Sequence, residues 1–512
     1  MLATPTAEKR ADERVADFDV LIVGAGISGI GMAAHMEMKA PHHSYAIVER
    51  RGNLGGTWDL FRYPGIRSDS DMHTLGFDFE PWRHEKSIAD APAILDYLNT
   101  IVDERGIREH IHYGHKVISA DFREDEARWH VEMELEDGST TQMTANFLYL
   151  GSGYYDYDEP YDPGFEFGEF EGQVIHPQFW PEDLDYADKK IVVIGSGATA
   201  VTIVPSMSTK AAHVTMLQRT PTWMGARPAK DKLANTLRKF LPEGLAYKIT
   251  RFKNIRMQDF TFKMARNKPE KVKKALHNAI EKALGPDYDK EAFTPPYDPW
   301  DQRLCLVPDD DLFEAMKAGK ASVVTGHIEK FEKGGVRLKS GDFLEADIVI
   351  TATGLKMAVA GKIDIRQNGE SVNWPDRYYY KGCMFSNLPN LAVVFGYLNA
   401  SWTLRADVNS DYICRVLNEM RASGSDIVMP VLTPEAEAQV VEDDIFDFSS
   451  GYIQRAKAIM PKSAVAYPWR LNQEYLADRK MMKNDPVRDG LLTFRTAKGA
   501  ASEPSEQLEA AE

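Results

Sequence analysis

The chain has 512 residues, more than one ordinary hydrophobic core accommodates, so two or more domains are expected. With 43% hydrophobic and 27% charged residues, its composition is typical of a soluble globular protein. The formal net charge of -16 argues against a general nucleic-acid-binding protein, because the domains of such proteins are usually basic.

Cysteine usage and the N-terminal segment favour a reduced, cytoplasmic setting. Cys305, Cys383 and Cys414 are far apart and odd in number, which excludes a disulfide framework, a zinc site and a Cys-x-x-Cys redox pair. The first residues lack the apolar core of a signal peptide, and no uninterrupted apolar run reaches membrane-spanning length. We predict no metal site, and we expect residues 1–16 and 496–512 to be disordered.

A strand–turn–helix unit begins the predicted globular part. Residues 18–23 form an apolar run typical of a buried parallel strand, and they lead into a glycine-rich turn and a helical segment. In such a unit the glycines permit a tight turn, close approach of a pyrophosphate, and close helix–strand packing, while the helix N-terminus favours the anion. Glu49 ends the next predicted strand, where a carboxylate accepts hydrogen bonds from ribose hydroxyls. The predicted site comprises Gly24, Gly26, Ser28, Gly29 and Glu49.

The segment 170–181, with the sequence FEGQVIHPQFWP, lies between this unit and a second glycine-rich turn. Read as Phe-x-Gly-x-x-x-His-x-x-x-Trp-Pro, it resembles the fingerprint of Baeyer–Villiger monooxygenases, flavoenzymes that insert one atom of O2 beside a ketone carbonyl. Related flavin-containing monooxygenases carry an aromatic-Lys pair where this chain has Trp180-Pro181. A linker with a buried His and Trp is the structural alternative. The resemblance implies that the two domains are coupled through Phe170, Gly172, His176 and Trp180.

The second glycine-rich turn follows the apolar run at residues 191–194 and repeats the same arrangement, with Ala200 in place of the last glycine. The following predicted strand ends in Arg219-Thr220 rather than in an acid. A guanidinium can hold a ribose 2′-phosphate bidentately, so this site is predicted to prefer NADPH over NADH. The predicted site residues are Gly195, Ser196, Gly197, Ala198, Thr199, Ala200, Arg219 and Thr220.

A basic insertion separates two parts of the second nucleotide-binding domain. Residues 227–285 contain sixteen Lys or Arg and five Asp or Glu residues, and apolar residues between 272 and 284 recur at helical spacing. A packed helical subdomain with a solvated basic face is one interpretation. Attraction of the polyanionic cofactor and peripheral contact with an anionic membrane surface are the others.

The resemblance to Baeyer–Villiger monooxygenases covers residues 18–480 and implies further site residues. Asp69, in the segment RYPGIRSD, matches the family's active-site aspartate; a turn cap beside Pro64-Gly65 is the alternative for it. Arg303 matches the catalytic arginine, whereas Gln302 stands where the family commonly has Lys. The remaining implied FAD contacts are Gly56, Thr57, Trp58 and Val117.

The same resemblance implies the reaction. NADPH would reduce FAD, and a C4a-peroxyflavin formed with O2 would attack a small ketone to give an ester or lactone. Arg303 would stabilise negative charge on oxygen, and Asp69 would orient Arg303. Oxidation of sulfides is a second implied activity.

The predicted fold class is α/β, with two Rossmann-like dinucleotide-binding domains, for FAD and NADPH, and a helical insertion. The predicted FAD-binding domain comprises residues 17–155 and 379–495. The predicted NADP-binding domain comprises residues 156–225 and 300–378, with the insertion at 226–299.

Two other functions use the same pair of nucleotide sites. The first is an N- or S-hydroxylating flavin-containing monooxygenase, against which Trp180-Pro181 and Arg303 argue. The second is an NADPH-dependent flavoprotein electron carrier that inserts no oxygen.

Overall fold

The computed structural model describes residues 16–302, 304–445 and 448–497. Short strands dominate the chain and alternate with helices in its first half. The strands are β1 Phe18–Val23, β2 Tyr45–Glu49, β3 Ile111–Tyr113, β4 His115–Arg123, β5 Arg128–Leu135, β6 Thr140–Leu150, β7 Gln173–Ile175, β8 Lys190–Ile194, β9 His213–Gln218, β10 Met224–Arg227, β11 Cys305–Pro308, β12 Ala321–Thr325, β13 Ile328–Glu332, β14 Gly335–Leu338, β15 Phe343–Glu345, β16 Ile348–Thr351, β17 Asp364–Gln367, β18 Glu370–Ser371, β19 Tyr379–Tyr380, β20 Met384–Phe385, β21 Leu391–Val393, β22 Ile427–Pro430, β23 Glu442–Asp443, β24 Ser463–Ala464 and β25 Leu492–Arg495.

The α-helices range from one turn to 25 residues in length. They are α1 Ile27–Lys39, α2 Thr57–Leu60, α3 Met72–Leu75, α4 Ala91–Glu104, α5 Ala198–Met207, α6 Lys232–Phe240, α7 Glu243–Asn267, α8 Pro269–Leu284, α9 Asp311–Lys317, α10 Trp402–Ser423, α11 Pro434–Glu437, α12 Gly451–Ala456 and α13 Tyr475–Asn484. Among the described residues, none of these helices combines the length and the apolar character needed to cross a membrane.

The first sheet has the strand order β18-β17-β4-β5-β6-β1-β2-β3, and β21 also pairs with β6. Strand β1 is an interior strand and pairs in parallel with both β2 and β6. All five residues of β2 and the last four of β1 are buried, as expected for parallel strands covered on both faces. Strands β4, β5 and β6 form an antiparallel meander. The carboxyl ends of β1 and β2 therefore meet at one edge, where parallel sheets bind ligands.

The second sheet is parallel throughout, with the order β12-β9-β8-β16-β7. Its edge strand β7 belongs to the segment 170–181. The fingerprint segment is therefore part of the second nucleotide-binding sheet and not a free linker.

The insertion folds into α6, α7 and α8. The apolar stripe predicted for residues 272–284 lies on α8, whose buried side chains Ile280 and Leu284 join the core of the second sheet. The C-terminal part of that stripe is therefore a packing surface, and the three interpretations of the insertion stay open.

The chain returns to the first sheet earlier than the predicted boundary at residue 379. Strand β17 pairs in parallel with β4, and β17 begins at Asp364. The polar β17–β18 hairpin carries little hydrophobic signal, because its edge position leaves much of it exposed. The other predicted domain limits stay predictions, and both predicted disordered termini fall almost wholly outside the described residues.

Candidate active site between two dinucleotide-binding turns

The first glycine turn connects the end of β1 to α1. Gly24 has a φ of +99°, and a Cβ there would lie 2.9 Å from the Gly151 carbonyl oxygen. A Cβ on Gly29 would overlap the Gly24 carbonyl oxygen, so α1 can begin this close to β1 only with glycine. Gly26 instead faces the Gly56 backbone at ordinary contact distance. The structure thus brings together the predicted glycines, and α1 begins with unpaired backbone N–H groups directed at this turn.

Glu49 lies at the end of β2, beside this turn, and is buried. Its Oε2 accepts a hydrogen bond from the Ala25 N–H at 2.8 Å, and its Oε1 accepts one from the Arg51 N–H at 3.0 Å. Burial raises the pKa of Glu49, and these two backbone N–H groups act in the opposite direction. The carboxyl group is therefore held rigidly at the position where a ribose would lie, and each oxygen keeps a further acceptor site.

The turn at Gly55-Gly56 lies against the first glycine turn. Gly56 has a φ of +55°, and the Gly55 N–H donates to the Ala25 carbonyl at 2.9 Å. Helix α2 then begins at Thr57, whose hydroxyl lies 3.1 Å from that of Tyr157. Trp58 is partly buried and packs on the core of the first domain. Gly56 thus lies directly against the first glycine turn, and Thr57 and Trp58 follow it at the start of α2.

Ser28 is held by a residue that lies far away in the sequence. The Trp402 Nε1–H, at the start of α10, donates to the Ser28 hydroxyl at 2.7 Å. The Tyr154 ring stacks on Trp402, with ring centroids 5.1 Å apart and an interplanar angle of 12°. Neither aromatic residue was among the predicted site residues, although Trp402 lies in the segment NASWTL. That segment, 399–404, is the sequence signal that could have found it.

Val117, another of the implied FAD contacts, is a buried residue of β4. It packs in the same apolar cluster as Val23 and Val48, which end β1 and β2. Val117 therefore lies in the core beside the carboxyl ends of β1 and β2, and its contact with FAD stays a prediction.

Asp69 is exposed and lies on the segment between α2 and α3. The neighbouring Tyr63 is buried, and burial raises its pKa to about 12, with a smaller contribution from the negative charge of Asp69. The Thr199 side chain, in the second glycine turn, hydrogen-bonds the Tyr63 hydroxyl. Tyr63 thus keeps its proton at neutral pH and lies between Asp69 and the second nucleotide site, a link that the sequence did not reveal.

The second glycine turn repeats the first in the second sheet. Gly195 has a φ of +131°, and a Cβ there would overlap the Ala352 carbonyl oxygen. Gly197 is the N-cap of α5, and a Cβ on it would have no heavy atom within 4 Å. Ala198, Thr199 and Ala200 form the first turn of α5, whose N–H groups have no partner within the helix. One glycine is therefore required by the protein's own packing, and the other leaves space beside a helix N-terminus.

Arg219 is exposed and directly follows β9. The adjacent Thr220 carbonyl accepts a hydrogen bond from the Ser196 hydroxyl at 3.2 Å, and the same hydroxyl lies 2.7 Å from that of Thr222. Ser196 therefore ties the glycine turn to the loop that carries Arg219. This is the edge of the sheet at which a ribose 2′-phosphate is expected.

The fingerprint segment packs on the second domain through its aromatic residues. Phe170 packs against Phe331, with ring centroids 6.5 Å apart, and Trp180 packs on the core beneath the second sheet. A Cβ on Gly172 would overlap the Asp347 carbonyl oxygen, which accounts for the fingerprint glycine.

The same segment also reaches the connection from the first domain. The buried Gln178 side chain donates to the Asp156 carbonyl at 2.9 Å. Burial lowers the pKa of His176, and the backbone of Gly354, at the end of the second sheet, acts in the opposite direction. Gln178 thus contacts the chain where it leaves the first sheet, at Asp156. His176 contacts the chain where it leaves the second sheet, at Gly354.

Arg303, the predicted catalytic arginine, lies outside the described residues. The segment that contains it ends beside the second glycine turn, because the Cys305 Sγ donates to the Ser196 carbonyl at 3.8 Å. Strand β11, which begins at Cys305, pairs in parallel with β10.

The polar groups at the ends of β6 and β16 fit two dinucleotides. Ser152 and Thr353 each lie two residues after one of these strands, at equivalent places in the two sheets. Both hydroxyls are buried, and neither has a hydrogen-bond partner in the described part of the chain. Since buried polar groups are normally hydrogen-bonded, a polar ligand beside each sheet would satisfy them. Together with the two glycine turns, they are typical of a protein that binds two dinucleotides.

Comparison with known proteins identifies the family. Residues 21–280 match the family model described as pyridine nucleotide-disulphide oxidoreductase. The chain is 50% identical over 491 residues to the FAD-containing monooxygenase EthA of Mycolicibacterium smegmatis, covering 95% of this chain and 99% of that protein. It is 48% identical over 481 residues to the probable FAD-binding monooxygenase AlmA of Acinetobacter baylyi, covering 93% and 96%. The chain therefore belongs to the family of FAD-containing monooxygenases that includes EthA.

Solved structures confirm the fold. Oxidised steroid monooxygenase bound to NADP matches with a TM-score of 0.75 at 19% identity, covering 93% of this chain and 99% of that one. Cyclohexanone monooxygenase bound to ε-caprolactone matches with a TM-score of 0.72 at 21% identity, with the same coverage. The predicted fold class, two nucleotide-binding α/β domains, is thus correct.

Proposed function

We propose that this protein, a flavin monooxygenase by its family, uses FAD, NADPH and O2 to convert small ketones into esters or lactones. The observation that carries the proposal is the fingerprint segment 170–181. It occupies a strand of the second sheet, it ends in Trp180-Pro181, and its Gly172 is required by close packing on the Asp347 carbonyl. The names of the similar solved proteins, which include a cyclohexanone and a steroid monooxygenase, support the same reaction.

Each glycine turn has a separate binding role in this proposal. The turn at Gly24–Gly29 and Glu49 would hold FAD by its pyrophosphate and ribose, and the turn at Gly195–Ala200 would hold the pyrophosphate of NADPH. Arg219 would bind the 2′-phosphate, which FAD lacks. When bound, the flavin accepts a hydride from NADPH and activates O2, chemistry that side chains cannot supply.

The residues between the two sites would position the oxygen chemistry. Arg303 would stabilise negative charge that develops on the ketone oxygen, and Asp69 would orient Arg303 by charge pairing. Tyr63 would position the segment that carries Asp69 through its contact with Thr199. Exclusion of water by the aromatic residues Tyr154 and Trp402 would keep the activated oxygen from being lost as hydrogen peroxide.

The test is product analysis with labelled oxygen. The holoenzyme is supplied with NADPH, a simple aliphatic ketone and ¹⁸O2, and we expect an ester that carries one labelled atom, formed in proportion to the NADPH consumed. Arg303→Ala is expected to retain FAD and NADPH oxidation while losing ester formation. NADPH oxidation without ester from any ketone would favour the electron carrier, and oxygenation of amines or sulfides alone would favour the hydroxylating alternative.

Oxidation of sulfides is proposed as a second activity of the same site, because activated oxygen on a flavin also oxidises soft sulfur. A labelled sulfoxide from a simple thioether, made by the same preparation, is the expected product. The cytoplasmic location stays a prediction.

A further inference from the structure

Helix α7 of the insertion has an exposed apolar face. Leu245, Ile249, Phe252 and Phe260 recur at spacings of three, four and eight residues, so they lie along one side of the helix. Phe240, at the end of the preceding helix α6, continues this side and is 80% exposed. Phe252 and Phe260 are 63% and 59% exposed, whereas large apolar side chains normally cover one another. We call these five residues the exposed apolar face.

The opposite side of α7 is buried and is anchored by polar side chains. The Arg251 guanidinium donates to the Gly76 carbonyl at 2.6 Å and to the Asp407 carboxylate at 3.1 Å. Asn254 donates to the Asp71 carboxylate at 2.8 Å. The helix is therefore held on the protein by these polar bonds together with the buried Tyr247 and Ile255, while Leu245, Ile249, Phe252 and Phe260 face outward. The inner side therefore attaches α7 to the protein through bonds that do not involve the exposed apolar face.

Basic side chains surround the exposed apolar face. Lys239, Lys248 and Arg256 are all exposed, and in the part of the chain that the structure describes none of them forms an ion pair. The Arg256 guanidinium lies 5.4 Å from the centroid of the Phe252 ring, so charge and apolar surface are interleaved. This concentration of positive charge occurs in a chain with a net charge of -16.

We propose that this surface docks the protein on an anionic lipid bilayer, with the exposed apolar face inserted among the acyl chains and Lys239, Lys248 and Arg256 at the headgroups. Amphipathic helices with aromatic and basic residues bind membranes in this way. The acidic remainder of the chain is repelled by the same bilayer, which selects this orientation. A second copy of the chain is a poorer partner, because a two-fold interface between two such helices brings like charges together.

The experiment measures sedimentation of the holoenzyme with vesicles. We expect binding to vesicles made of equal parts of phosphatidylcholine and phosphatidylglycerol, weaker binding to phosphatidylcholine alone, and release at high salt. Replacing Lys239, Lys248 and Arg256 by Gln is expected to lower the partition coefficient about fivefold per residue. The triple variant F240S/F252S/F260S is expected to lower it by about a hundredfold or more.

Matched controls separate docking from loss of folding. Val441 and Val465 are 68% and 51% exposed elsewhere, and V441S/V465S is expected to bind vesicles like the unchanged protein. All variants are expected to keep their flavin absorbance and their NADPH oxidation in solution, because the substituted residues lie outside the candidate site. Sedimentation does not depend on turnover, so the result is independent of the proposed reaction.

Three outcomes would overturn the proposal. The first is absence of binding to the charged vesicles, and the second is equal binding of the triple Phe→Ser variant and the unchanged protein. The third is self-association in sedimentation velocity that the Phe→Ser variant abolishes while vesicles remain unbound. The third result would assign the surface to contact between two copies.

Discussion

Gly197 and Gly195 belong to the same turn, but we predict that alanine at Gly197 weakens NADP⁺ binding whereas alanine at Gly195 destabilises the fold. A Cβ on Gly195 would overlap the Ala352 carbonyl oxygen, and its φ of +131° is strained for any other residue. A Cβ on Gly197 would meet no heavy atom within 4 Å, and its φ of -77° suits alanine. Gly197→Ala should therefore fold normally and place a methyl group where the NADPH pyrophosphate would approach the start of α5.

The magnitude follows from the bonds that this methyl group would disturb. Loss of one hydrogen bond from a helix N-terminal N–H to a charged phosphate costs about 1.5–3 kcal/mol, which weakens NADP⁺ binding by about 10- to 150-fold. The free energy of unfolding should change by less than about 0.5 kcal/mol. Gly195→Ala should instead lower it by about 3 kcal/mol or more, because backbone strain and overlap add together.

Two measurements on the same preparations check this reasoning. The dissociation constant for NADP⁺ is obtained by titrating the flavin absorbance of the holoenzyme, and stability is obtained from unfolding in urea. Unchanged NADP⁺ affinity in Gly197→Ala would refute the assignment of this turn to the second dinucleotide. Equal destabilisation by the two substitutions would refute the geometric argument.

Three further predictions concern single side chains. Arg219→Ala should raise the KM for NADPH far more than the KM for NADH, since only NADPH carries the 2′-phosphate; equal steady-state effects would contradict the phosphate role. Arg251→Met should lower the free energy of unfolding by about 3–5 kcal/mol, measured in urea, because it leaves the Asp407 carboxylate buried without its cation; a change below about 1 kcal/mol would contradict this. Despite the opposing effect of burial, hydrogen bonds that include one from Lys253 lower the pKa of Asp231 from 3.8 to about 2. Its stabilising contribution should therefore be complete above pH 3.8 and be lost as the pH falls towards about 2, so Asp231→Asn should flatten the urea-unfolding pH profile in that window, and an unchanged profile would argue against it.

The site residues that could be predicted from the sequence are those in segments where neighbouring residues along the chain form the site. A buried strand, a glycine turn and a helix follow one another directly, so Gly24, Glu49 and Gly195 could be assigned from spacing alone. The hydrogen bond from Trp402 to Ser28 joins residues 374 positions apart, and no local pattern reports such a contact.

The exposed apolar face escaped the sequence reasoning for a different reason. Hydrophobic periodicity normally identifies the buried side of a helix, and it did so for α8. In α7 the usual interpretation of hydrophobic periodicity would place Leu245, Ile249, Phe252 and Phe260 inward. The structure instead buries the side of the helix that carries Arg251 and Asn254. Only the partners of Arg251, in α10 and beside α3, show which way the helix faces.

The turn at Pro64-Gly65 has a consequence for movement between the domains. Gly65 has a φ of +78°, and a Cβ on it would overlap the Ser206 hydroxyl of α5. Gly65, four residues before Asp69, thus lies directly against α5, the helix that begins at the second glycine turn. A tilt of that helix would press directly on this turn, so the segment that carries Asp69 and the second glycine turn share one mechanical contact.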